Sequence, residues 1–302
     1  MSAPIRAVAF IGLGLMGRLM VANLVKAGLE VRSFDLNGSG NCKTAKEAAE
    51  RSQILITMVP DGRAVRKAVL AALPGLAPGS IVIDMSSSDP ATTRELGVLL
   101  KKKRIHLLDA PVSGAKAKAA DGTLALMVGG DAAVLRRVHP VLSKLGTQIF
   151  HTGALGSGHA TKALNNYLGA AGTIAGFEAL LVGEKFGLDP EVLIDVINAS
   201  TGKNSTTERK IPQQVFTRAF ASGFQLALMT KDVGIARQIA RAAGVQTPYL
   251  ENTLKIWRDA LSRLPAGADH TEMYHYLKRL KPPSPGAASP RARSPRRQRR
   301  PT

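Results

Sequence analysis

Gly12-Leu-Gly-Leu-Met-Gly17 constrains this chain more than any other feature, because its three glycines directly follow a run that reads as a buried strand. Ala7-Val-Ala-Phe-Ile-Gly12 is apolar throughout, and Met16–Ala27 has a helical period that stops at Gly28, a residue suited to the left-handed turn that ends helices. Glu30–Phe34 reads as a second strand and closes on Asp35, 18 positions after Gly17. Strand, glycine turn, helix, strand and terminal carboxylate make a βαβ unit suited to a dinucleotide. Gly12 makes the tight turn, Gly14 lets backbone amides approach a pyrophosphate, and Gly17 lets the helix pack on the strand. Leu13, Leu15 and Met16 complete that turn, where the helix N-terminus offers partial positive charge to a diphosphate. Asp35 is placed to accept ribose hydroxyls and to repel a 2′-phosphate, which favours NAD over NADP. Lys43 and Lys46 nearby soften the preference.

The alternation continues through Ile54–Val59, Ile81–Met85, His106–Ala110, Ala125–Val128 and Thr147–Phe150 as strands, with helices at Thr92–Lys103 and Ala132–Lys144. This pattern predicts right-handed βαβ crossovers on a parallel sheet, so residues 1–160 read as an α/β, Rossmann-type doubly wound domain. From Ala160 to Phe186 no turn signal interrupts a helix, and about 26 residues give a rod about 40 Å long. Gly169, Gly172, Gly176 and Gly183 let another helix approach it closely. Gly187 ends the rod, and Asp189-Pro190 supplies an N-cap and a first-turn proline for the next helix. Ile211–Phe220, Leu228–Ala243 and Pro248–Leu264 read as further helices. Residues 161–281 are therefore an all-α domain joined to the sheet by the long helix, with a ligand cleft between the two.

One cysteine, Cys42, in 302 residues excludes an intramolecular disulfide and a CxxC metal knuckle. No run approaches a membrane span, and the start lacks a basic-then-apolar leader pattern, so the reading is cytoplasmic. The formal charge is +19, from 41 basic and 22 acidic residues. Six arginines lie after Lys281; without them 35 basic residues against 22 acidic ones leave +13 for residues 1–281. Residues 282–302 are rich in Pro, Ser and Arg and read as a solvated, disordered extension, with nonspecific nucleic-acid contact as its sharper reading.

The chemistry-bearing residues cluster in three segments. Lys162 and Asn166, four apart near the start of the long helix, share a face. A lysine there meets an unfavourable helix dipole, and a cleft would lower its pKa further, which suits an amine that exchanges a proton with a carbonyl or hydroxyl oxygen. Asn166 can orient the same oxygen. Ser113 and Gly114 follow a strand end in Asp109-Ala-Pro-Val-Ser-Gly and offer a hydroxyl and an unobstructed amide to a carboxylate. Thr230-Lys231-Asp232 reads as a helix start, making Lys231 a second cleft cation. His159 reads as a polar helix-start residue, His270 and His275 lack a triad context, and Trp257 reads as core; no metal site is expected.

Taken in order, GLGLMG at 12–17, DAPVSGA at 109–115, GSGHATKALNN at 156–166 and TKDVGIA at 230–236 resemble the β-hydroxyacid dehydrogenase family, whose members include 3-hydroxyisobutyrate dehydrogenase and tartronate semialdehyde reductase. The resemblance covers roughly residues 5–280. It implies reversible, metal-free hydride transfer between NAD or NADP and a 3-hydroxy acid or its semialdehyde. Lys162 would be the catalytic lysine, Asn166 its substrate-orienting partner, and Ser113 and Gly114 the carboxylate loop. Val59, Pro60, Ser87 and Lys231 would contact the nicotinamide side. It also implies a homodimer or homotetramer through the long helix and C-terminal domain. Three departures stand out: Ala115 replaces a second glycine, the segment between Asp35 and Ala45 is short and lacks a helix, and the arginine-rich tail is foreign to the family. A 6-phosphogluconate dehydrogenase-type enzyme is the alternative on the same fold, and a catalytically silent dinucleotide-binding scaffold with a nucleic-acid tether is the alternative from another class.

Overall fold

The computed structural model describes residues 5–281, so the expectations for the arginine-rich tail lie outside the described residues. The sheet half runs β1 (Ala7–Ile11), α1 (Leu15–Lys26), β2 (Glu30–Phe34), α2 (Ala45–Ala49), β3 (Ile54–Thr57), α3 (Gly62–Ala72), β4 (Ile81–Asp84), α4 (Pro90–Lys102), β5 (His106–Asp109), β6 (Val112–Ser113), α5 (Ala115–Asp121), β7 (Leu124–Gly129), α6 (Ala132–Leu142) and β8 (Gly146–Gly153). The carboxylates of Asp61, Asp89 and Asp131 cap α3, α4 and α6 by accepting first-turn amides that the helix leaves unpaired. Strand residues alternate between two buried layers. Val8, Phe10, Ile54, Ile56, Ile81 and Ile83 pack on one side, and Ala9, Ile11, Leu55 and Val82 on the other. Both faces are covered, as a doubly wound sheet requires.

The strand order is β2-β1-β3-β4-β5-β7-β6, with β8 beside β7. The first five strands of that path are parallel, as expected. The last part corrects the all-parallel reading: β7 runs antiparallel to both β5 and β6 and parallel to β8. Residues 114–123, which join β6 to β7, are fewer than the dozen or so that a parallel crossover needs. The helices α2 and α5, of five and seven residues, carry too few apolar positions to show a period, and neither was expected.

The other half begins with α7 (Ser157–Phe186), three residues earlier than expected. It continues through α8 (Pro190–Asn198), a wide π-helical segment (Thr206–Phe216), α9 (Leu226–Ala242), α10 (Pro248–Arg263) and α11 (Met273–Lys278). The expected helix at Ile211–Phe220 is corrected by that segment. It starts early because the Asn204 side chain accepts the Thr206 and Thr207 amides, and it ends early because Arg218 and Phe220 have φ of +60° and +44°. Pro212 inside it cannot donate a ladder bond, which favours wide turns. Phe177, Leu180, Val233, Leu254 and Trp257 form the core of this half, and the Trp257 indole donates to the Ala170 carbonyl at 3.3 Å.

Candidate active site

At the first turn, backbone approach explains the glycines. A Cβ on Gly12 would collide with the Met58 carbonyl and one on Gly17 with the Gly12 carbonyl, whereas Gly14 faces open space. The N-terminus of α1 has no side-chain cap and no acid in its first turn, so its amides are free to meet an anion. Asp35 Oδ2 accepts the Leu13 amide at 2.6 Å and Oδ1 the Asn37 amide at 3.0 Å. Each oxygen keeps a lone pair for a hydroxyl. The residues present therefore fit a dinucleotide. Between Asp35 and Ala45 the chain makes turns, as expected, and Lys46 pairs with Glu50 on α2.

Lys231 joins the two halves. Its amine donates to the Pro60 carbonyl at 3.0 Å and the Ser87 carbonyl at 2.5 Å, bridging the loops after β3 and β4 from α9. The Val59 amide donates to Ser86 Oγ at 3.0 Å, so the same two loops are tied to each other. Val59, Pro60, Ser87 and Lys231, far apart in sequence, thus meet at one place. The neighbouring Asp232 was missed as a site residue. Because α9 starts at Leu226, Asp232 lies in its second turn rather than its first, and it is buried. Its Oδ2 accepts from Asn166 Nδ2 at 2.6 Å, and its Oδ1 lies 3.3 Å from the Lys231 amine. A carboxylate on the apolar stripe of α9 was the available signal.

Lys162 sits one turn before Asn166, half-buried. Burial pushes its amine below the ordinary lysine range; the Asp232 carboxylate opposes that shift, and the Lys231 ammonium adds to it. A lysine whose charged form is disfavoured gives up and takes back a proton more readily, as acid–base chemistry on a hydroxyl demands.

Beneath these residues lies a buried polar cluster. Asp109 accepts the Gly156 and His159 amides at 2.7 and 2.8 Å, which anchors the first turn of α7 to the end of β5. His159 is a polar residue at the helix start, as expected, and it is fully enclosed. Its Nδ1 meets Thr93 Oγ1 at 2.9 Å, and its Nε2 meets the Ser86 carbonyl at 3.1 Å, with Asp84 Oδ2 3.5 Å away. Its side chain thus touches β4's end and α4 while its backbone sits three residues before Lys162.

Ser113 and Gly114 stand apart from this network: among the described residues neither bonds to Lys162 or Asn166. Gly114 has φ of +141° and Ala115 of +56°, so the alanine occupies a left-handed conformation that costs an L-residue about 1 kcal/mol. Among the described residues, no group of three or more His, Cys, Asp or Glu is placed to hold a metal ion, and no helix is long and apolar enough to cross a membrane.

Two family models match the chain: "NAD binding domain of 6-phosphogluconate dehydrogenase" over residues 7–153, and "NAD-binding of NADP-dependent 3-hydroxyisobutyrate dehydrogenase" over residues 156–277. A probable 3-hydroxyisobutyrate dehydrogenase of Mycobacterium bovis is 37% identical over 282 residues, covering 88% of this chain and 94% of its own length. The 2-(hydroxymethyl)glutarate dehydrogenase of Eubacterium barkeri is 35% identical over 263 residues, covering 83% of this chain and 87% of its own. Among solved structures, the 3-hydroxyisobutyrate dehydrogenase of Mycobacterium tuberculosis with L-serine superposes with a TM-score of 0.85 at 36% identity, covering 91% of this chain and 99% of that one.

Proposed function

The chain belongs to the β-hydroxyacid dehydrogenase family, and from that premise we propose that it oxidises a short 3-hydroxy acid to its semialdehyde, and reduces it back, with Lys162 as the proton carrier. It is an NAD(P)-dependent oxidoreductase acting on a CH–OH group. When bound, the nicotinamide supplies or takes up the hydride. The open Gly14 turn and the uncapped start of α1 would hold the diphosphate, Asp35 the adenosine ribose, and Val59, Pro60, Ser87 and Lys231 the nicotinamide side. Asp35 favours NAD.

The observation that carries the reading is the chain Lys162, Asn166, Asp232, Lys231 at the junction of α7 and α9. In the oxidative direction Lys162 Nζ takes the hydroxyl proton; in the reductive direction it returns that proton to the carbonyl oxygen. Asp232 holds the Asn166 amide, which fixes the orientation of the group that aligns the same oxygen. Ser113 and Gly114 receive the substrate carboxylate. In this division of labour residues 1–160 hold the dinucleotide and residues 161–281 complete the substrate site.

Relatives named for 3-hydroxyisobutyrate and 2-(hydroxymethyl)glutarate support taking both monocarboxylates and dicarboxylates as candidates. A second copy of the chain would cover the apolar residues left bare along α7 and α8, where Phe186 is 81% and Leu168 69% exposed. The reading as a cytoplasmic enzyme is kept on the single cysteine, which suits a reducing compartment. The test is absorbance at 340 nm over a panel of 3-hydroxy acids and semialdehydes, with both cofactors in parallel. Turnover of a 3-hydroxy acid, faster with NAD than NADP, is expected; no turnover of any panel member overturns the reading.

A further inference from the structure

Lys210 is a half-buried amine with no part in the chemistry above. It projects from the π-helical segment, and its Nζ donates to Thr173 Oγ1 at 2.7 Å and Thr206 Oγ1 at 3.3 Å. Thr173 Oγ1 in turn donates to the Gly169 carbonyl. Among the described residues no carboxylate lies within ion-pair distance of this ammonium, and one of its three N–H groups is uncommitted. Asp269 acts on this ammonium only from beyond ion-pair distance, so the uncommitted N–H is open to an anion that can come closer.

Its position relates it to the reacting end. Lys162, Asn166, Gly169 and Thr173 fall at spacings of four, three and four residues, which places them along one stripe of α7. Midway along the stripe, Gly169 presents bare backbone: a Cβ built there would have no neighbour within 4 Å. The stripe is therefore open at its middle, with Lys162 and Asn166 toward one end and Lys210 at the other. Asn166 and Thr173 are seven residues apart, a rise of about 10 Å. Allowing about 3 Å for a hydrogen bond at each end leaves about 4–5 Å for the intervening chain. Four extended carbon–carbon bonds, as between the carbinol and the far carboxyl of a five-carbon hydroxymethyl diacid, span about 5 Å.

We propose that Lys210, held in place by Thr173 and Thr206, forms a distal subsite that binds the second carboxylate of a dicarboxylic 3-hydroxy acid. The proposal rests on the reaction assigned above and narrows its substrate class. One ammonium matches the charge of a carboxylate; a phosphate dianion calls for several cations or a guanidinium fork. Burial lowers the Lys210 amine to about 8, so it is charged at neutral pH and gains from an anionic partner.

The test compares kcat/KM for 2-(hydroxymethyl)glutarate, 3-hydroxyisobutyrate and 6-phosphogluconate in the parent, Lys210→Met and Gly169→Val, the last filling the open point of the stripe without touching the amine. Calorimetric titration with glutarate runs in parallel and needs no turnover. The parent is expected to prefer the diacid. Either variant should lower the diacid-to-monoacid ratio at least 10-fold, through KM rather than kcat, and abolish glutarate binding. If Lys210→Met does not fold, Gly169→Val gives the same reading alone. An unchanged ratio, glutarate binding insensitive to both variants, no glutarate binding by the parent, or a preference for the phosphorylated acid overturns the proposal. Lys210-dependent glutarate binding without oxidation of any acid would leave the subsite standing and overturn the assigned reaction instead.

Discussion

Two stretches of α7, two turns apart, give a lysine different surroundings. At the first, Lys162 lies among charges: Asp232 and Lys231 act on it, Asn166 and Asp232 stand bonded beside it, and Asp109 pins the helix start beneath. At the second, the Lys210 amine meets only the hydroxyls of Thr173 and Thr206. Burial depresses both amines, and a carboxylate opposes the shift at each from beyond ion-pair distance, Asp232 at Lys162 and Asp269 at Lys210. The difference lies in the nearest company: Lys162 stands beside a bonded Asn166–Asp232 pair that can align a reacting oxygen, whereas Lys210 bonds only to hydroxyls and keeps an N–H for an anion from outside.

The largest effect should come from the charged stretch. Lys162→Ala is expected to lower kcat by about 100-fold or more, with dinucleotide affinity retained in a fluorescence titration. Unchanged turnover would erase the distinction between the two amines. Asp109→Ala strands the buried Gly156 and His159 amides and should lower the unfolding free energy by about 2–3 kcal/mol in urea melts. Thr173→Val, at the hydroxyl stretch, should lower it by about 1 kcal/mol. A reversal of that order would mean that the helix is held from its middle rather than its start. Asp35 lies outside α7, so Asp35→Ser should shift the NAD-to-NADP ratio of kcat/KM by about 10-fold, the size of one charged contact, and leave diacid selectivity unmoved. Movement of both would show that the stretches are coupled to the cofactor turn.

The smallest effect is a slope. Burial above all, helped by Arg209 and opposed by Asp269, lowers the Lys210 amine to about 8 when folded, against an ordinary lysine value of 10.5. Between those values the unfolded chain binds more protons, so stability from this group rises with pH from about 8 to about 10.5. Lys210→Met should flatten that rise in melts taken across the window. Lys162 is shifted in the same direction, so a slope remaining in the variant belongs to it; a slope unaltered by the substitution would show that Lys210 is solvated.

Much of the architecture was readable along the chain, for reasons that are local. Short apolar runs located the parallel strands, the lack of a turn signal located α7, Asp189 and Pro190 marked the start of α8, and Gly28 and Gly187 adopt positive φ just past their helices. The π-helical segment escaped because its start rests on Asn204 and its end on backbone angles at Arg218 and Phe220, which carry no period. The antiparallel turn at β7 escaped because a short connection rather than a residue type sets its direction.

The candidate site divides along the same line. Gly12 to Gly17, Asp35, Lys162 and Asn166 announce themselves through spacing on one strand, turn or helix, where chain geometry alone places them together. Lys231 reaching Pro60 and Ser87 across 171 and 144 residues, Asp232 seated under Asn166 across 66, and Lys210 set against Thr173 across 37 depend on how helices pack on one another. Packing is cooperative and long-ranged: burial and the nearest charge, which give each of these side chains its chemistry, come into being only when distant segments meet.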